Sequence, residues 1–333
     1  MIPLLVCDDS NMARKQLIRA LPAEWPVTLS QATNGEEALA LIRLGQGQVM
    51  LLDLTMPVLD GYQTLAALRA EGLSSQVIVV SGDVQEEAVR RVRELGPLAF
   101  IKNPADPEIL RQTLIELGLF NPQGTPAAQA QAVALSDLKV SFRDALREVS
   151  NVAMGRAAAL LAKVLGVFVQ LPVPQVNIFE VSELHMTLLD AQRGERFSAI
   201  CQGFIGEAIA GEALLLFHDS EVEDMARLLG WQPKNEAETS EMLLDLASIL
   251  IGACLAGIAE QLDLRFSQGH PQLLGQHASL DQIIQVNRQR WRKTLAVEIS
   301  YSLEGHAIHF DLLLLFTEDS IKRLTAKIGY LME

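Results

Sequence analysis

The first 120 residues alternate short, continuously apolar runs with segments of helical periodicity. The runs are Ile2–Cys7, Val49–Leu52, Val77–Val80 and Leu98–Ile101, with a weaker one at Val27–Leu29. Apolar runs without polar alternation indicate strands buried on both faces, as in a parallel sheet covered by helices. The pattern predicts an α/β domain over residues 1–120, with a doubly wound five-stranded parallel sheet.

The rest of the chain has a different organisation. Residues 121–135 are rich in Pro, Gln and Ala and lack a core-forming pattern, so we interpret them as a linker. In residues 136–333 several polar and small residues recur 97 positions apart, and Leu-rich segments recur at an offset of 99. Each half reads as a long helix, β segments and a shorter helix. Self-similarity at a fixed period predicts a pseudo-twofold α+β domain made of repeats 136–235 and 236–333.

Charge and cysteine usage narrow the functional classes. The formal net charge is -14, whereas proteins that bind nucleic acid need Lys and Arg to neutralise phosphates. A DNA-binding regulator is therefore disfavoured. No stretch approaches 18 uninterrupted apolar residues, so we expect no membrane insertion. The three cysteines are scattered, and we interpret them as buried free thiols: Cys7, Cys201 and Cys254. Together with the lack of a signal-peptide pattern, they predict a cytoplasmic location.

Polar residues follow the predicted strands of the first domain where they leave the sheet. Asp8 and Asp9 follow the first strand, Asp53 ends the third and Ser81 follows the fourth. Ligand sites of open α/β sheets form at this edge, and clustered carboxylates suit a hard cation such as Mg²⁺. The alternative is that these residues only cap helices, which Asp8-Asp9-Ser10 could do. Capping does not explain Asp53, nor why the whole set lies at the ends of strands.

The order Asp8-Asp9, Asp53-Leu54-Thr55-Met56-Pro57, Asp60-Gly61, Ser81-Gly82 resembles the receiver domain of two-component response regulators. The resemblance implies that a histidine kinase supplies phosphate to Asp53, that Asp8, Asp9 and Asp53 hold Mg²⁺, and that Ser81 reorients on phosphorylation. Phe100 is a candidate switch aromatic, and equally a core residue. The family has a Lys directly before a Pro; here Asn103 precedes Pro104, and Lys102 lies one step earlier, on the opposite face of the strand.

A second polar set lies in the long helix predicted from Ser136 to Gly166, with Ser136 or Asp137 as its N-cap. Asp144, Glu148 and Asn151 are spaced i, i+4 and i+7, and we expect them to face outward, opposite the apolar stripe. A solvated helix face is the ordinary alternative. Small residues further along the same face, with room for a partner helix, favour a docking site: Gly155, Ala158 and Ala162. The stripe itself consists of Leu138, Phe142, Ala145, Leu146, Val149, Ala153 and Leu160.

The spacing Asp144-x3-Glu148-x2-Asn151-x22-Pro174 resembles the signature of the CheC, CheX and FliY phosphatases of chemotaxis. The resemblance implies that the helix docks on a phosphorylated receiver, that Asn151 orients an attacking water and that Glu148 pairs with the receiver's Lys. Asp144 and Pro174 would shape the site. A neutral amide suits this role, because it holds water without adding negative charge beside phosphate.

The second copy departs from this pattern. Glu241, Asp245, Ser248 and Pro271 keep the spacing, but Asp245 is shorter than Glu and Ser248 lacks the amide. We interpret this copy as weak or inactive.

These features together predict a phosphatase that removes the aspartyl phosphate of a CheY-like response regulator, with its own receiver as a regulatory input. Because Asn103 cannot form a salt bridge with Glu148, a separate receiver is the expected substrate. The alternative is a docking adaptor, or a phosphate-sink receiver with an inactive output domain. A CheD-type deamidase is a possible further partner that the sequence leaves open.

Overall fold

The computed structural model describes residues 1–122, 138–180, 196–278 and 293–332. Most of the predicted linker and both candidate helix caps, Ser136 and Asp137, lie outside the described residues. Contacts within the chain divide it into two compact units: Met1–Glu148 together with Met332, and Val149–Leu331. The division falls at Glu148, inside a helix, so the boundaries at 120 and 136 stay predictions.

The first unit begins with five strands that alternate with five helices. The strands form one parallel sheet in the order β2-β1-β3-β4-β5, which confirms the predicted doubly wound fold. The elements are β1 (Ile2–Cys7), α1 (Asn11–Ala20), β2 (Val27–Ala32), α2 (Gly35–Arg43), β3 (Val49–Leu52), α3 (Gly61–Glu71), β4 (Gln76–Ser81), α4 (Glu86–Leu95), β5 (Ala99–Lys102) and α5 (Pro107–Glu116).

Alternate residues of β1 enter two different cores, one on each face of the sheet. Leu4 and Val6 pack in one cluster, and Leu5 and Cys7 pack in the other. Two buried faces explain why the strands read as continuous apolar runs. The edge strand β2 is buried only at its two ends, which explains its weaker pattern.

The start of α3 lies against the turn that carries Asp53, and Gly61 makes this approach possible. A Cβ added to Gly61 would lie 2.3 Å from the carbonyl oxygen of Asp53 and 2.7 Å from the Cα of Leu54. Both are backbone atoms, which cannot rotate away. We therefore expect Gly61→Ala to lower the free energy of unfolding by about 1–3 kcal/mol in urea titrations. Gly203→Ala is the control, since its Cβ meets no atom within 4 Å; equal stability of the two variants would contradict the prediction.

The second unit is built on one antiparallel sheet flanked by long helices. Helix α6 (Phe142–Leu165) begins in the first unit and continues into the second. The other elements are β6 (Val169–Gln170), β7 (Gln175–Glu180), β8 (Phe197–Gly206), β9 (Ile209–His218), α7 (Val222–Leu228), α8 (Glu236–Gln261), β10 (Ser267–Gln268), β11 (Gln272–Ala278), β12 (Lys293–Leu303), β13 (His309–Thr317) and α9 (Glu318–Met332).

Strand pairing supports the predicted pseudo-twofold symmetry. Two hairpins, β8–β9 and β12–β13, meet where β9 pairs with β13. Leu214 and Leu313, equivalent in the repeat, face each other in this central pair. The outer strands are exchanged between repeats, because β7 pairs with β12 and β11 pairs with β8. A twofold axis through the Leu214–Leu313 pair relates these arrangements.

Two helices of this region differ from the sequence expectations. Helix α6 begins at Phe142 rather than Ser136: the Ser141 hydroxyl accepts a hydrogen bond from the Asp144 N–H at 3.1 Å and so caps the helix. Within the described residues, α8 has the length and hydropathy of a membrane span, with a mean hydropathy of 2.2. However, 56% of that window is buried in the fold, as in the core helix of a globular domain.

Candidate functional site

The carboxyl ends of the parallel strands bring the predicted receiver residues to one edge. Asp8 follows β1, Asp53 follows β3 and Ser81 ends β4, and all three are buried. Backbone bonds fix this edge, because the Asp53 N–H donates to the Cys7 carbonyl at 2.9 Å. Asp8 accepts a hydrogen bond from the Ser10 N–H, while Ser10, not Asp8, caps α1. Two of the predicted acidic residues, Asp8 and Asp53, thus lie at this edge.

Asp53 has one satisfied and one unsatisfied carboxylate oxygen. Its Oδ2 accepts a hydrogen bond from the Thr55 N–H at 2.8 Å, while its Oδ1 is buried and has no hydrogen-bond partner among the residues that the structure describes. Burial, followed by the negative charge of Asp9, raises the pKa of Asp53 to about 7. Burial and the charge of Asp53 likewise raise the pKa of Asp8. The edge therefore concentrates negative charge that a bound cation would stabilise.

The donor chemistry of this edge fits Mg²⁺. The unpartnered oxygen of Asp53 and the neighbouring carboxylates of Asp8 and Asp9 are hard oxygen ligands. In the described part of the chain, no three His, Cys, Asp or Glu side chains are close enough to form a ready-made metal cluster. Mg²⁺ commonly uses one or two carboxylates and keeps several waters, so these residues suffice. When bound, the ion would neutralise charge around a phosphoryl group on Asp53.

Asn103, not Lys102, faces the acidic edge. Lys102 ends β5 with an exposed side chain, whereas Asn103 is 2% exposed. Successive strand residues point to opposite faces, which explains the difference. Phe100 is partly buried and packs against the core cluster on one face of the sheet. The receiver therefore presents a neutral amide at the position where the resembled family has an ammonium group.

Glu148, the last residue of the first unit, lies at this same edge. Its Oε1 accepts a 2.8 Å hydrogen bond from the Asn103 Nδ2, and only 3% of the residue is exposed. Burial and the charges of Asp53 and Asp9 raise the pKa of Glu148 to about 8. Glu148 was expected to face outward, toward solvent or a partner; its side chain faces Asn103 of the preceding receiver rather than solvent.

Two further side chains of α6 join residues 138–148 to the receiver within the first unit. The Asp144 carboxylate accepts hydrogen bonds from the Asn11 and Met12 N–H groups, at 3.1 and 2.8 Å. N–H groups in the first turn of a helix have no partner within the helix, and a negative charge is favoured there. Asp144 supplies both the acceptor and the charge for α1. Arg147 lies 3.4 Å from the Asp9 carboxylate and 3.2 Å from that of Asp144. Sequence reasoning did not single out Arg147, although its i, i+3 spacing from Asp144 was visible.

The remaining residues of the predicted phosphatase set lie in the second unit. Asn151 is 9% exposed and Pro174 is buried, so neither residue faces solvent. Gly155 and Ala158 are buried too, while Leu160, assigned to the apolar stripe, is 43% exposed. A single-stripe helical pattern fails for α6 because the helix is buried on more than one side.

The second copy has the opposite exposure. Glu241, Asp245 and Ser248 are all exposed on α8, with Gly252 following them on the helix. Pro271 is half-buried, just before β11. The two equivalent polar sets thus differ both in residue type and in surroundings.

Asp83, in the loop after β4, is a buried carboxylate that sequence reasoning missed. It accepts hydrogen bonds from the Gln85 N–H and side-chain amide, both at 3.1 Å, and from the Tyr62 hydroxyl at 3.4 Å. Burial raises the pKa of Asp83 to about 6, although these bonds oppose the shift. Its position two residues beyond Ser81 was the available signal.

The elevated pKa of Asp83 predicts a pH-dependent stability difference. Between its ordinary pKa of 3.8 and about 6 the folded state binds more protons than the unfolded chain, so stability falls as the pH rises through this window. Asp83→Asn keeps an acceptor without the charge. Above pH 7 we expect its free energy of unfolding to exceed that of the parent by up to about 3 kcal/mol. Below pH 4 the two proteins should have the same free energy of unfolding. Urea titrations at several pH values measure this difference. Asp106→Asn, at the exposed cap of α5, is the control; a constant difference at all pH values would contradict the prediction.

Comparison with known proteins finds a family match within the first unit. Residues 4–115 match the family model described as the response regulator receiver domain. The protein-glutamate methylesterase/protein-glutamine glutaminase of Halalkalibacterium halodurans is 37% identical over 123 residues. That alignment covers 34% of this chain and 35% of the relative. The chain thus spans about a third of this relative, and 49% of a curated response regulator that it also matches.

Solved structures that are similar to part of the chain include two bacterial proteins. Thermotoga maritima FliY has a TM-score of 0.43 and 18% identity, covering 57% of this chain and 96% of that protein. A CheC-like chemotactic protein from Shewanella oneidensis has a TM-score of 0.34 and 12% identity, covering 50% of this chain and 95% of that protein.

Proposed function

Because residues 4–115 form a response regulator receiver domain, we propose that this chain is a chemotaxis-type two-component protein that hydrolyses the aspartyl phosphate of a CheY-like receiver. Asp144, Glu148, Asn151 and Pro174 form the proposed phosphatase set. The chain's own receiver, through Asp53, is the proposed regulatory input. A histidine kinase is the proposed source of its phosphate.

The contact between Glu148 and Asn103 is the observation that carries this proposal. Glu148, a member of the proposed phosphatase set, accepts a hydrogen bond there from the residue that precedes Pro104, at the acidic edge of a receiver. In a receiver with Lys at that position, the same approach would form a salt bridge rather than a neutral hydrogen bond. The contact thus supports the view that this helix is shaped to engage the phosphorylation edge of receivers.

The proposed reaction needs only one well-placed water. Asn151 would accept a hydrogen bond from that water and orient its oxygen in line with the phosphorus atom. The water oxygen bonds to phosphorus, the bond from phosphorus to the aspartyl oxygen breaks, and the carboxylate leaves. The water's proton passes to the phosphate product. Mg²⁺ bound by the substrate receiver would offset the charge on the phosphoryl oxygens.

The burial of Glu148 and Asn151 favours a second candidate for the chain as it stands. Glu148 is 3% exposed and Asn151 is 9% exposed, whereas a docking phosphatase needs both side chains at its surface. A docking adaptor, or a receiver that only takes up phosphate as a sink, would need no accessible set. The two candidates differ in turnover, since a sink stops after one phosphate per chain.

Phosphate release from a separate, radiolabelled CheY-like receiver tests the proposal. The full chain, added at one hundredth of the receiver concentration, should release many phosphates per chain as inorganic phosphate. Label that stops at one phosphate per chain and stays bound to protein would support the sink. If phosphate leaves the separate receiver at its spontaneous rate, the chain is neither a phosphatase nor a sink for that receiver, and the docking adaptor is supported.

A further inference from the structure

Residues 138–148 form a segment that we call the latch, and it contacts the receiver within the first unit. Leu138 packs against a receiver core cluster, and the Lys139 carbonyl accepts a 3.2 Å hydrogen bond from the Asn11 side chain. Asp144 accepts from the first N–H groups of α1, and Glu148 ends the segment at Asn103. The latch therefore engages both the first turn of α1 and the end of β5.

The carboxyl group that ends the latch, that of Glu148, lies at the edge that carries the phosphorylation residue. Asp53, 2% exposed, and Glu148, 3% exposed, share one buried edge with Asp8. Among the described residues, the ion pair recorded between the latch and this edge is that of Arg147 with Asp9.

Phosphorylation of Asp53 would change this balance. A phosphoryl group adds negative charge and three oxygens at a buried position. In a receiver with Lys before the Pro, an ammonium group would attract both the phosphoryl group and Glu148. Asn103 is neutral and cannot offset their repulsion, and it already donates its amide to Glu148. Mg²⁺ held by the acidic edge would pair with the phosphoryl oxygens, but Glu148 would still be buried beside them against the neutral Asn103 side chain, which is unfavourable for a carboxylate.

We propose that residues 138–148 are a phosphorylation-sensitive latch: they close over the unphosphorylated receiver through Glu148 and Asp144, and phosphorylation of Asp53 expels them. Asn103 determines the direction of this switch. In the closed state the chain's own receiver occupies Glu148 and so withholds it from other receivers. This consequence for activity rests on the proposed function, while the opening of the latch does not.

Hydrogen exchange of two backbone amides reports the latch without any substrate. The Asn11 and Met12 N–H groups are bonded to Asp144 in the closed state. Loading the full chain with Mg²⁺ and beryllofluoride, an analogue of the phosphoryl group, should speed their exchange by about tenfold or more. The Arg14 N–H, bonded to the Ser10 carbonyl at 3.0 Å inside α1, is the internal reference and should not change. Unchanged exchange at Asn11 and Met12 would overturn the proposal.

A Lys in place of Asn103 tests the charge argument. In Asn103→Lys the ammonium group should hold Glu148 beside the phosphoryl analogue, so Asn11 and Met12 should stay protected after loading. Gln112→Lys adds the same charge on the exposed surface of α5 and should open like the parent. If Asn103→Lys opens as readily as Gln112→Lys, the assigned role of Asn103 is wrong. Should Asn103→Lys fail to fold, the exchange of the unaltered chain still decides whether the latch opens.

The activity consequence is measured separately, in a single turnover. Asn103→Ala removes the amide that holds Glu148 and should raise phosphate release from a separate phosphorylated receiver about tenfold. Hydrogen exchange could show that the latch opens while neither the parent nor any variant releases phosphate. That result would support the latch and contradict the proposed phosphatase activity. Turnover that is equal in the parent and in Asn103→Ala would show that the latch does not withhold Glu148.

Discussion

Replacing Asn151 with alanine should lower phosphate release from a phosphorylated CheY-like receiver by about 100-fold. An amide that only positions one water contributes roughly the effect of a single catalytic group, on the order of 10²-fold. Because Asn151 would act on the water rather than hold the partner, the binding of the receiver should change little. Single-turnover release rates, together with the affinity for a receiver loaded with beryllofluoride, separate the two effects.

Ser248→Ala is the matched control for this variant. Ser248 occupies the position equivalent to Asn151 in the second repeat, and its side chain is exposed on α8. Its removal should leave phosphate release unchanged. Since Asn151 is buried, thermal unfolding of both variants must show that the fold is intact. A folded Asn151→Ala protein with parental turnover would favour the adaptor over the phosphatase.

Asp53→Asn should abolish the uptake of phosphate from radiolabelled acetyl phosphate. In the parent, a carboxylate oxygen of Asp53 attacks phosphorus and acetate leaves; an amide cannot perform this attack. The unpartnered Oδ1 of Asp53 is the oxygen that is available for the reaction. The loss should be complete, with no label above background on the full-length chain.

Asp60→Asn serves as the comparison, because Asp60 caps α3 through the Gln63 N–H and Asn caps helices equally well. Label uptake should therefore persist in that variant. Label that remains on Asp53→Asn would show that another acidic residue of the same edge accepts phosphate. Asp8 and Asp9 would then be the residues to replace next.

The strands of the receiver were predictable from the sequence because both of their faces are buried. β1 and β3 have the predicted bounds, Ile2–Cys7 and Val49–Leu52. The edge strand β2, partly exposed, extends three residues beyond its apolar run, to Ala32. The helix caps at Asn34 and Asp106 were equally readable, because their side chains bond to N–H groups only a few residues away.

The surroundings of the phosphatase set were not predictable in the same way. Helical spacing placed Asp144 and Glu148 on one face, but it cannot show what covers that face. The partner of Glu148 is Asn103, 45 positions earlier in the chain, and no local pattern encodes such a contact. The missing Lys pointed toward a separate receiver as the partner, whereas the same substitution leaves Asn103 free to bind Glu148 as a neutral donor.

The exchanged outer strands of the second unit restrict how this domain can be divided. A chain cut between residues 235 and 236 would leave β12 without β7 and β8 without β11. Each fragment would expose a bare strand edge, which favours aggregation over independent folding. The halves must therefore fold together, while the polar residues on one long helix can be altered without removing a strand. The second repeat can therefore lose its polar residues on α8 and still supply the strands that complete the sheet of the first repeat.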